Sequence, residues 1–135
     1  MPKPYLVPLT EIRREHEVLN SRFIATLAPA FSIDEARAFM ARIKKEFADA
    51  SHNVPVYIIG GGNTVTEYFS DDGEPSGTSG KPALAVLRGS GLGHAAHIAL
   101  CRDDVAVSVE DALEGAGDSL RRLLCEGSAD RVLHE

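Results

Sequence analysis

The most constraining feature of the sequence is a thirteen-residue run at positions 70–82, which reads SDDGEPSGTSGKP. Its three glycines and two prolines exclude a regular helix or a central strand, because glycine loses backbone entropy on ordering and proline lacks an amide donor. Long connections without secondary structure are uncommon in compact domains and are usually functional. The run therefore predicts a recognition loop, although any one of its polar residues could simply cap a turn.

The chemistry of this loop changes along its length. Three carboxylates stand in the first half, whereas three hydroxyls and a lysine stand in the second. A helix that starts at Lys81–Pro82 would present free amides and a positive charge, so we expect an anionic group such as a phosphate to bind there. The carboxylates would turn back onto loop amides or hold a magnesium ion that accompanies the phosphate. The predicted binding residues of the loop are Ser70, Asp71, Asp72, Gly73, Glu74, Pro75, Ser76, Gly77, Thr78, Gly80 and Lys81.

The length and composition fit one domain with a single core. The chain has 135 residues, of which 44% are hydrophobic and 25% are charged. No apolar run approaches the length of a membrane span and no signal-peptide pattern opens the chain, so a cytoplasmic location is expected. Cys101 and Cys125 lack metal-ligand spacing, and we expect both to be buried thiols in a reducing compartment.

The net charge of -6 is concentrated in residues 103–118, which contain six carboxylates and no lysine or arginine. A negative total argues weakly against a protein that binds nucleic acid by neutralising phosphates. Because the acidity belongs to one segment, the rest of the chain is electrically neutral and is not excluded from binding an anion.

The first part of the chain predicts an arm, a strand and a helix. Three prolines in the first eight residues predict that residues 1–9 form an extended or frayed arm. Residues 17–28 alternate as a strand, with apolar odd-numbered positions on one face. Ser32 and Glu35 form a capping box for a helix that extends to about residue 48. The apolar residues at helical spacing in this helix are Ala36, Phe39, Met40, Ile43 and Phe47.

The middle of the chain predicts a hairpin, a helix and a central strand. Residues 52–59 and 65–69 read as two strands joined by a glycine-rich turn. Residues 82–88 predict a short helix that ends at a glycine. Residues 95–101 are small and apolar throughout, which is typical of a strand in the centre of a sheet.

The last part predicts a weaker helix. Residues 109–124 keep helical spacing of apolar residues. Gly115 and Gly117 would each cost about 1 kcal/mol relative to alanine, so the middle of the helix is expected to be loose or kinked. We expect the acidic segment at 103–118 to contribute little to stability.

The loop and its surroundings resemble the signature of the IMPACT N-terminal domain and YigZ family over roughly residues 10–100. A run of this length is more specific than a short motif. By this resemblance, Arg22, His52 and Asn53 join the predicted binding residues. Besides the loop, the segments that carry the resemblance are LAVLRGSGL at 84–92, SRFIA at 21–25, SHN at 51–53 and Tyr57.

The resemblance implies an α+β fold with a single-layer, mostly antiparallel sheet and helices packed on one face, ribosomal-protein S-five domain-two-like. Eukaryotic members bind the activator of the amino-acid-starvation kinase, and bacterial members are suspected of binding nucleic acid or the translation machinery. The resemblance thus implies that residues 1–135 form one non-enzymatic binding domain, whose partner is RNA or a translation-machinery protein. The C-terminal ferredoxin-like domain of bacterial members is expected to be absent.

The sequence departs from the family pattern after Arg102. The family has a second glycine-rich run there, whereas this chain has the acidic segment, and family-like character returns near Asp118 and near Val132. Two interpretations stay open. Ordinary divergence agrees with the helical spacing of residues 109–124, and two compensating frame changes would explain the loss and the recovery.

Known catalytic and metal-binding patterns are incomplete in this sequence. The segment at 75–82 lacks the first glycine and the final hydroxyl of a phosphate-binding P-loop. His94 and His97 stand three apart, which places them on opposite faces of a strand and argues against zinc. We therefore expect no catalytic residues, no bound metal and no cofactor; the alternative is a small hydrolase or phosphate-handling enzyme that uses the loop with His52.

The aromatic content argues against base recognition. The chain has five phenylalanines, three tyrosines and no tryptophan. Most of these residues are assigned to the core, so few platforms are expected for stacking single-stranded RNA.

Overall fold

The computed structural model describes residues 5–18, 21–50, 52–61, 64–69, 81–102, 109–125 and 131–134. The strands are β1 (Tyr5–Pro8), β2 (Ile12–Val18), β3 (Ser21–Pro29), β4 (His52–Gly61), β5 (Thr64–Phe69), β6 (Ala95–Arg102) and β7 (Arg131–His134). The helices are α1 (Ile33–Glu46), α2 (Lys81–Gly89) and α3 (Val109–Cys125). Loop residues 70–80, including every predicted binding residue of the loop except Lys81, lie outside the described residues.

Strands β2 to β6 form a five-stranded antiparallel sheet in the order β2-β3-β6-β4-β5, and β1 pairs with β7 separately. The predicted α+β class with an antiparallel sheet is confirmed, and so is the central position of β6. Since β3 and β4 both run antiparallel to β6, they run parallel to each other, and α1 connects them.

The register gives the sheet two apolar faces. Leu27, His97 and Val56 are paired across β3, β6 and β4 and lie on the first face, which α2 and α3 cover. Ile24 and its partner Leu100 lie on the second face, which α1 covers.

The expectation that all helices pack on one face is wrong. Side chains at both odd and even positions of β3 and β6 are apolar and buried, so each face of these strands must be covered to remove it from water. Helix α1 buries one set of core residues against the second face: Ala36, Phe39, Met40 and Ile43. Helices α2 and α3 bury another set against the first face: Ala83, Leu84, Leu87, Ala116, Leu120 and Leu123.

The capping box at the start of α1 is confirmed. The hydroxyl of Ser32 accepts a hydrogen bond from the backbone N–H of Glu35 at 3.1 Å. The Glu35 carboxylate accepts the reciprocal bond from the backbone N–H of Phe31 at 3.4 Å, one residue before the cap. The helix start thus satisfies two amide donors that have no partner within the helix.

Within the N-terminal arm, residues 5–8 are extended and tied to the rest of the fold. Strand β1 pairs with β7, and the backbone of Leu6 donates to Gly91 O at 3.2 Å and accepts from Gly93 N at 2.7 Å. Val7 is 3% exposed. These distant segments decide the order of the arm, and the prolines alone did not indicate them.

The strand expected at residues 17–28 corresponds mainly to β3, which pairs antiparallel with β2. The alternation predicted for β3 is confirmed, but β2 was missed. Strand β2 forms one edge of the sheet and carries exposed charged residues, so it lacks the apolar pattern of a central strand. Such charges also protect an edge from pairing with another chain.

Helix α3 is continuous from Val109 to Cys125, so its two glycines do not interrupt it. It begins inside the acidic segment, and Ala116 is fully buried. A Cβ built on Gly115 would lie 2.5 Å from Phe23 Cε2, and closer still to Cζ, because the ring of Phe23 fills the space beside the helix. The second half of the acidic segment is therefore part of the core, contrary to expectation.

Candidate functional site

Three predicted binding residues lie at one end of the sheet. Arg22 is near the start of β3, and His52 and Asn53 open β4. Strand β6 runs between them in the opposite direction, so β3 and β4 are separated by two strand spacings, or about 10 Å. We call this the His52 end, defined by Arg22, His52 and Asn53; Arg22 is exposed and the other two are half-buried.

The strand before the predicted loop leads toward this end. Strand β5 runs antiparallel to β4, and Phe69, its last residue, pairs with Val56. Strand β5 therefore runs in the direction of the beginning of β4. The helix start predicted at Lys81–Pro82 is confirmed, since Lys81 is the first residue of α2.

The last turns of α3 also reach the His52 end. Arg122 Nη1 donates to the backbone carbonyl of Glu17 at 3.3 Å, beside Arg22 in the hairpin register. The Asp118 carboxylate pairs with Arg121 at 3.0 Å and with Arg122 at 3.5 Å. These arginines were not predicted from the sequence, since their position depends on how α3 packs across the sheet.

A cysteine-based reaction is not favoured at this end. Cys101 is the direct cross-strand partner of His52, but it is 1% exposed, so a substrate has no access to the thiol. The prediction of a buried thiol is confirmed for Cys101 and wrong for Cys125, which is exposed at the end of α3.

His97 lies on the first face in the centre of the sheet and is fully buried. Neither ring nitrogen has a hydrogen-bond partner within the described residues. Burial among apolar side chains disfavours the charged imidazolium and lowers the pKa of His97 to about 3. His97 is therefore a neutral core residue.

An aromatic pair joins β4 and β5 on the second face. The rings of Tyr57 and Tyr68 stack with centroids 4.8 Å apart and planes inclined by 12°. Tyr57 is 5% exposed and Tyr68 is 41% exposed. The expectation that the aromatic residues are mostly in the core therefore holds for Tyr57 but not for Tyr68, whose position on an edge strand is a tertiary property.

Glu67 lies on the other face of β5, and Arg88 neutralises its charge. Both oxygens of Glu67 accept hydrogen bonds from Arg88 of α2 at 2.6 Å. These bonds lower the pKa of Glu67 below its usual value, because the guanidinium stabilises the charged carboxylate. The interaction joins the edge strand to α2.

No described helix is both long enough and apolar enough to cross a membrane.

Comparisons with known proteins match most of the described sheet. The family model described as the Impact N-terminal domain matches residues 19–102. The chain is similar to an IMPACT family member of Haemophilus influenzae, with 44% identity over 90 residues, and to the IMPACT family member YigZ of Escherichia coli, with 40% identity over 90 residues. Each match covers 66% of this chain and 44% of the relative, so the chain spans less than half the length of these curated relatives.

The fold also matches a solved crystal structure of a hypothetical protein. The TM-score is 0.85 and the identity is 29%, over 99% of this chain and 65% of the other. The similarity in structure thus continues past Arg102, where the family match ends. Because that family match covers more than half of the sequence, the chain belongs to the Impact N-terminal domain family.

Proposed function

We propose that this chain is a non-enzymatic, cytoplasmic binding domain of the translation-regulating IMPACT type. It binds RNA, and the loop at 70–82 holds a phosphate. The observation that carries this proposal is the position of Arg22, His52 and Asn53 at the end of the sheet toward which β5 leads. His52 lies four residues before Val56, the partner of Phe69, so it stands in the direction in which β5 runs.

The chemistry at the start of α2 supports an anionic ligand. The first amides of a helix have no acceptor within the helix and, with the helix dipole, attract a phosphate. Helix α2 begins at Lys81 and has no acidic residue in its first turn. The hydroxyls of Ser76 and Thr78 would add hydrogen-bond donors.

The test is a titration of fluorescent single-stranded RNA at several salt concentrations. Wild-type affinity should fall with salt, and Lys81→Ala should weaken binding and reduce the salt slope by about one unit, as expected for the loss of one phosphate contact. Lys45→Ala removes the same charge from an exposed position of α1 and serves as the matched control.

Two results would contradict the proposal. Binding without salt dependence would exclude phosphate contacts, and equal affinities of wild type and Lys81→Ala would exclude this helix start. In either case a protein of the translation machinery becomes the better partner for the loop. A pull-down with and without nuclease, compared between wild type and Lys81→Ala, would then identify a partner that does not require RNA.

A further inference from the structure

A second surface lies on the side of the sheet that α1 covers only in part. Tyr68 pairs with Tyr57, and Thr66 pairs with Ile59 on the same face. Ile59 is half-buried, while Thr66 and Tyr68 are exposed. Helix α1 therefore leaves this face of β5 open to solvent, whereas it buries the same face of β3 and β6.

The ring of Tyr68 is held for stacking. Its inner side lies against Tyr57, nearly parallel to it, and Tyr57 is itself fixed in the core beside α1. The outer side of Tyr68 faces away from this stack. A ring that is already ordered loses little conformational entropy when a second planar group stacks on it.

One flank of α1 faces this open area. Glu46 forms an ion pair with Arg13 of β2, so the flank of the helix that carries Glu46 faces β2. Arg42 lies on that same flank. At about 100° per residue, positions 37 and 44 fall on the opposite flank, toward β4 and β5.

This opposite flank is basic. Arg37 and Lys44 are both exposed, and neither forms an ion pair with another described residue. Ile33 and Ala41 lie on the same flank, and the nearest carboxylate of α1, Asp34, lies about 60° from Arg37 around the helix, toward the side away from the sheet. Glu67 of β5 points to the other face of the sheet, where Arg88 neutralises it. This side of the sheet therefore carries an exposed aromatic ring, and the flank of α1 turned toward it carries two cations that form no ion pair with another described residue.

We propose that this area, which we call the Tyr68 surface (Thr66, Tyr68, Arg37 and Lys44), binds single-stranded RNA. A base stacks on the outer side of Tyr68, and Arg37 and Lys44 contact the adjoining phosphates. Aromatic rings on a sheet beside basic side chains bind single strands in this way. Charge complementarity favours a polyanion over an apolar peptide. This inference rests on the proposed RNA binding and adds a contact outside the 70–82 loop.

The test compares two fluorescent oligonucleotides of equal length, one an intact single-stranded RNA and the other with abasic positions. Tyr68→Ala should weaken binding of the intact RNA by roughly 5- to 150-fold, the effect of losing one stacked base. It should leave binding of the abasic strand unchanged, and Tyr68→Phe should retain the wild-type affinity for both. If Tyr68→Ala weakens binding of the intact and the abasic oligonucleotides equally, Tyr68 does not stack on a base.

The proposed contact of Lys44 with a phosphate is tested by a separate pair of lysine variants. Lys44→Ala should weaken binding and lower the salt slope by about one unit, whereas Lys45→Ala, one residue along the same helix and turned away from β5, should do neither. Both positions are exposed, so these variants test the surface even if Tyr68→Ala fails to fold. Equal effects of the two lysine substitutions would overturn the assignment of this flank.

The outcomes separate this surface from the loop. If Lys81→Ala weakens RNA binding and the Tyr68 and Lys44 variants do not, the Tyr68 surface is excluded and the proposed function stands. If Tyr68→Ala and Lys44→Ala weaken binding and Lys81→Ala does not, the surface is supported and the loop contact fails. No RNA binding by the wild type overturns both.

Discussion

His97 shows how one buried residue makes stability depend on pH. The pKa of His97 is lowered from 6.5 to about 3 in the folded protein, so between these values the unfolded chain binds a proton that the folded protein excludes. Through this residue, the free energy of unfolding therefore falls by about 1.4 kcal/mol for each unit by which the pH falls from about 6 toward 3.

We predict that His97→Leu removes this loss. The free energy of unfolding of the variant relative to wild type should rise by about 1.4 kcal/mol for each unit by which the pH falls from about 6 to about 4, measured by urea denaturation. At about pH 7 the variant should be no less stable, because the imidazole nitrogens have no hydrogen-bond partner in the described part of the protein. A difference that stays constant over this whole range of pH would contradict the prediction.

Gly115 is required by packing and not by backbone conformation. Alanine at this position would gain up to about 1 kcal/mol in helix propensity, but its methyl group would overlap the buried ring of Phe23. Overpacking of this kind costs about 1–3 kcal/mol. We predict that Gly115→Ala lowers the free energy of unfolding, as measured by chemical denaturation.

Two further variants test the cause of that loss. Gly89→Ala is the matched control, because a Cβ at Gly89 meets no atom of the described residues within 4 Å, and it should not destabilise the protein. Phe23→Leu should reduce the effect of Gly115→Ala in a double-mutant cycle. Additive effects of the two substitutions would exclude the clash as the cause.

At the scale of elements, α1 and α3 stabilise opposite faces of one sheet. Leu120 of α3 is fully buried and Phe39 of α1 is 7% exposed. We predict losses of about 3–5 kcal/mol for Phe39→Ala and about 2–5 kcal/mol for Leu120→Ala. Glu114→Ala, at an exposed position of α3, should change stability by less than about 0.5 kcal/mol.

Thermal or urea unfolding of these three variants tests whether α3 is part of the core or lies at its periphery. A small loss for Leu120→Ala beside a large loss for Phe39→Ala would mean that α3 is peripheral. The buried face of α3 also favours ordinary divergence over compensating frame changes after Arg102, because a shifted reading frame has no reason to encode apolar residues at core spacing.

At the scale of the whole molecule, β1 joins two segments that are distant in the sequence. It pairs with β7 and bonds to the turn between α2 and β6. We predict that Val7→Ala lowers the free energy of unfolding by about 1.5 kcal/mol. Val7 is 3% exposed, so the substitution removes buried apolar surface equivalent to two methyl groups. Leu9→Ala, where the side chain is 58% exposed, should cost less than about 0.5 kcal/mol. Equal and small losses in urea denaturation would show that the arm is frayed after all.

The sequence by itself determined features whose causes lie within a few residues. The cap at Ser32 is a contact between neighbours, and the start of α2 follows from a proline that suits a first helical turn. The continuous apolar character of β6 was enough to place it at the centre of the sheet. The family signature indicated Arg22, His52 and Asn53, but only the strand register shows that they share one end.

Tertiary structure decided everything that depends on what covers a residue. The position of α1 on its own face, the pairing of β1 with β7 and the contact of Gly115 with Phe23 each join segments far apart in the chain. Tyr68 is exposed because α1 covers the centre of the sheet and not its edge, and the strand pattern around it does not contain that information. Burial is a property of the neighbours that a chain brings together, and local periodicity reports only which residues share a face.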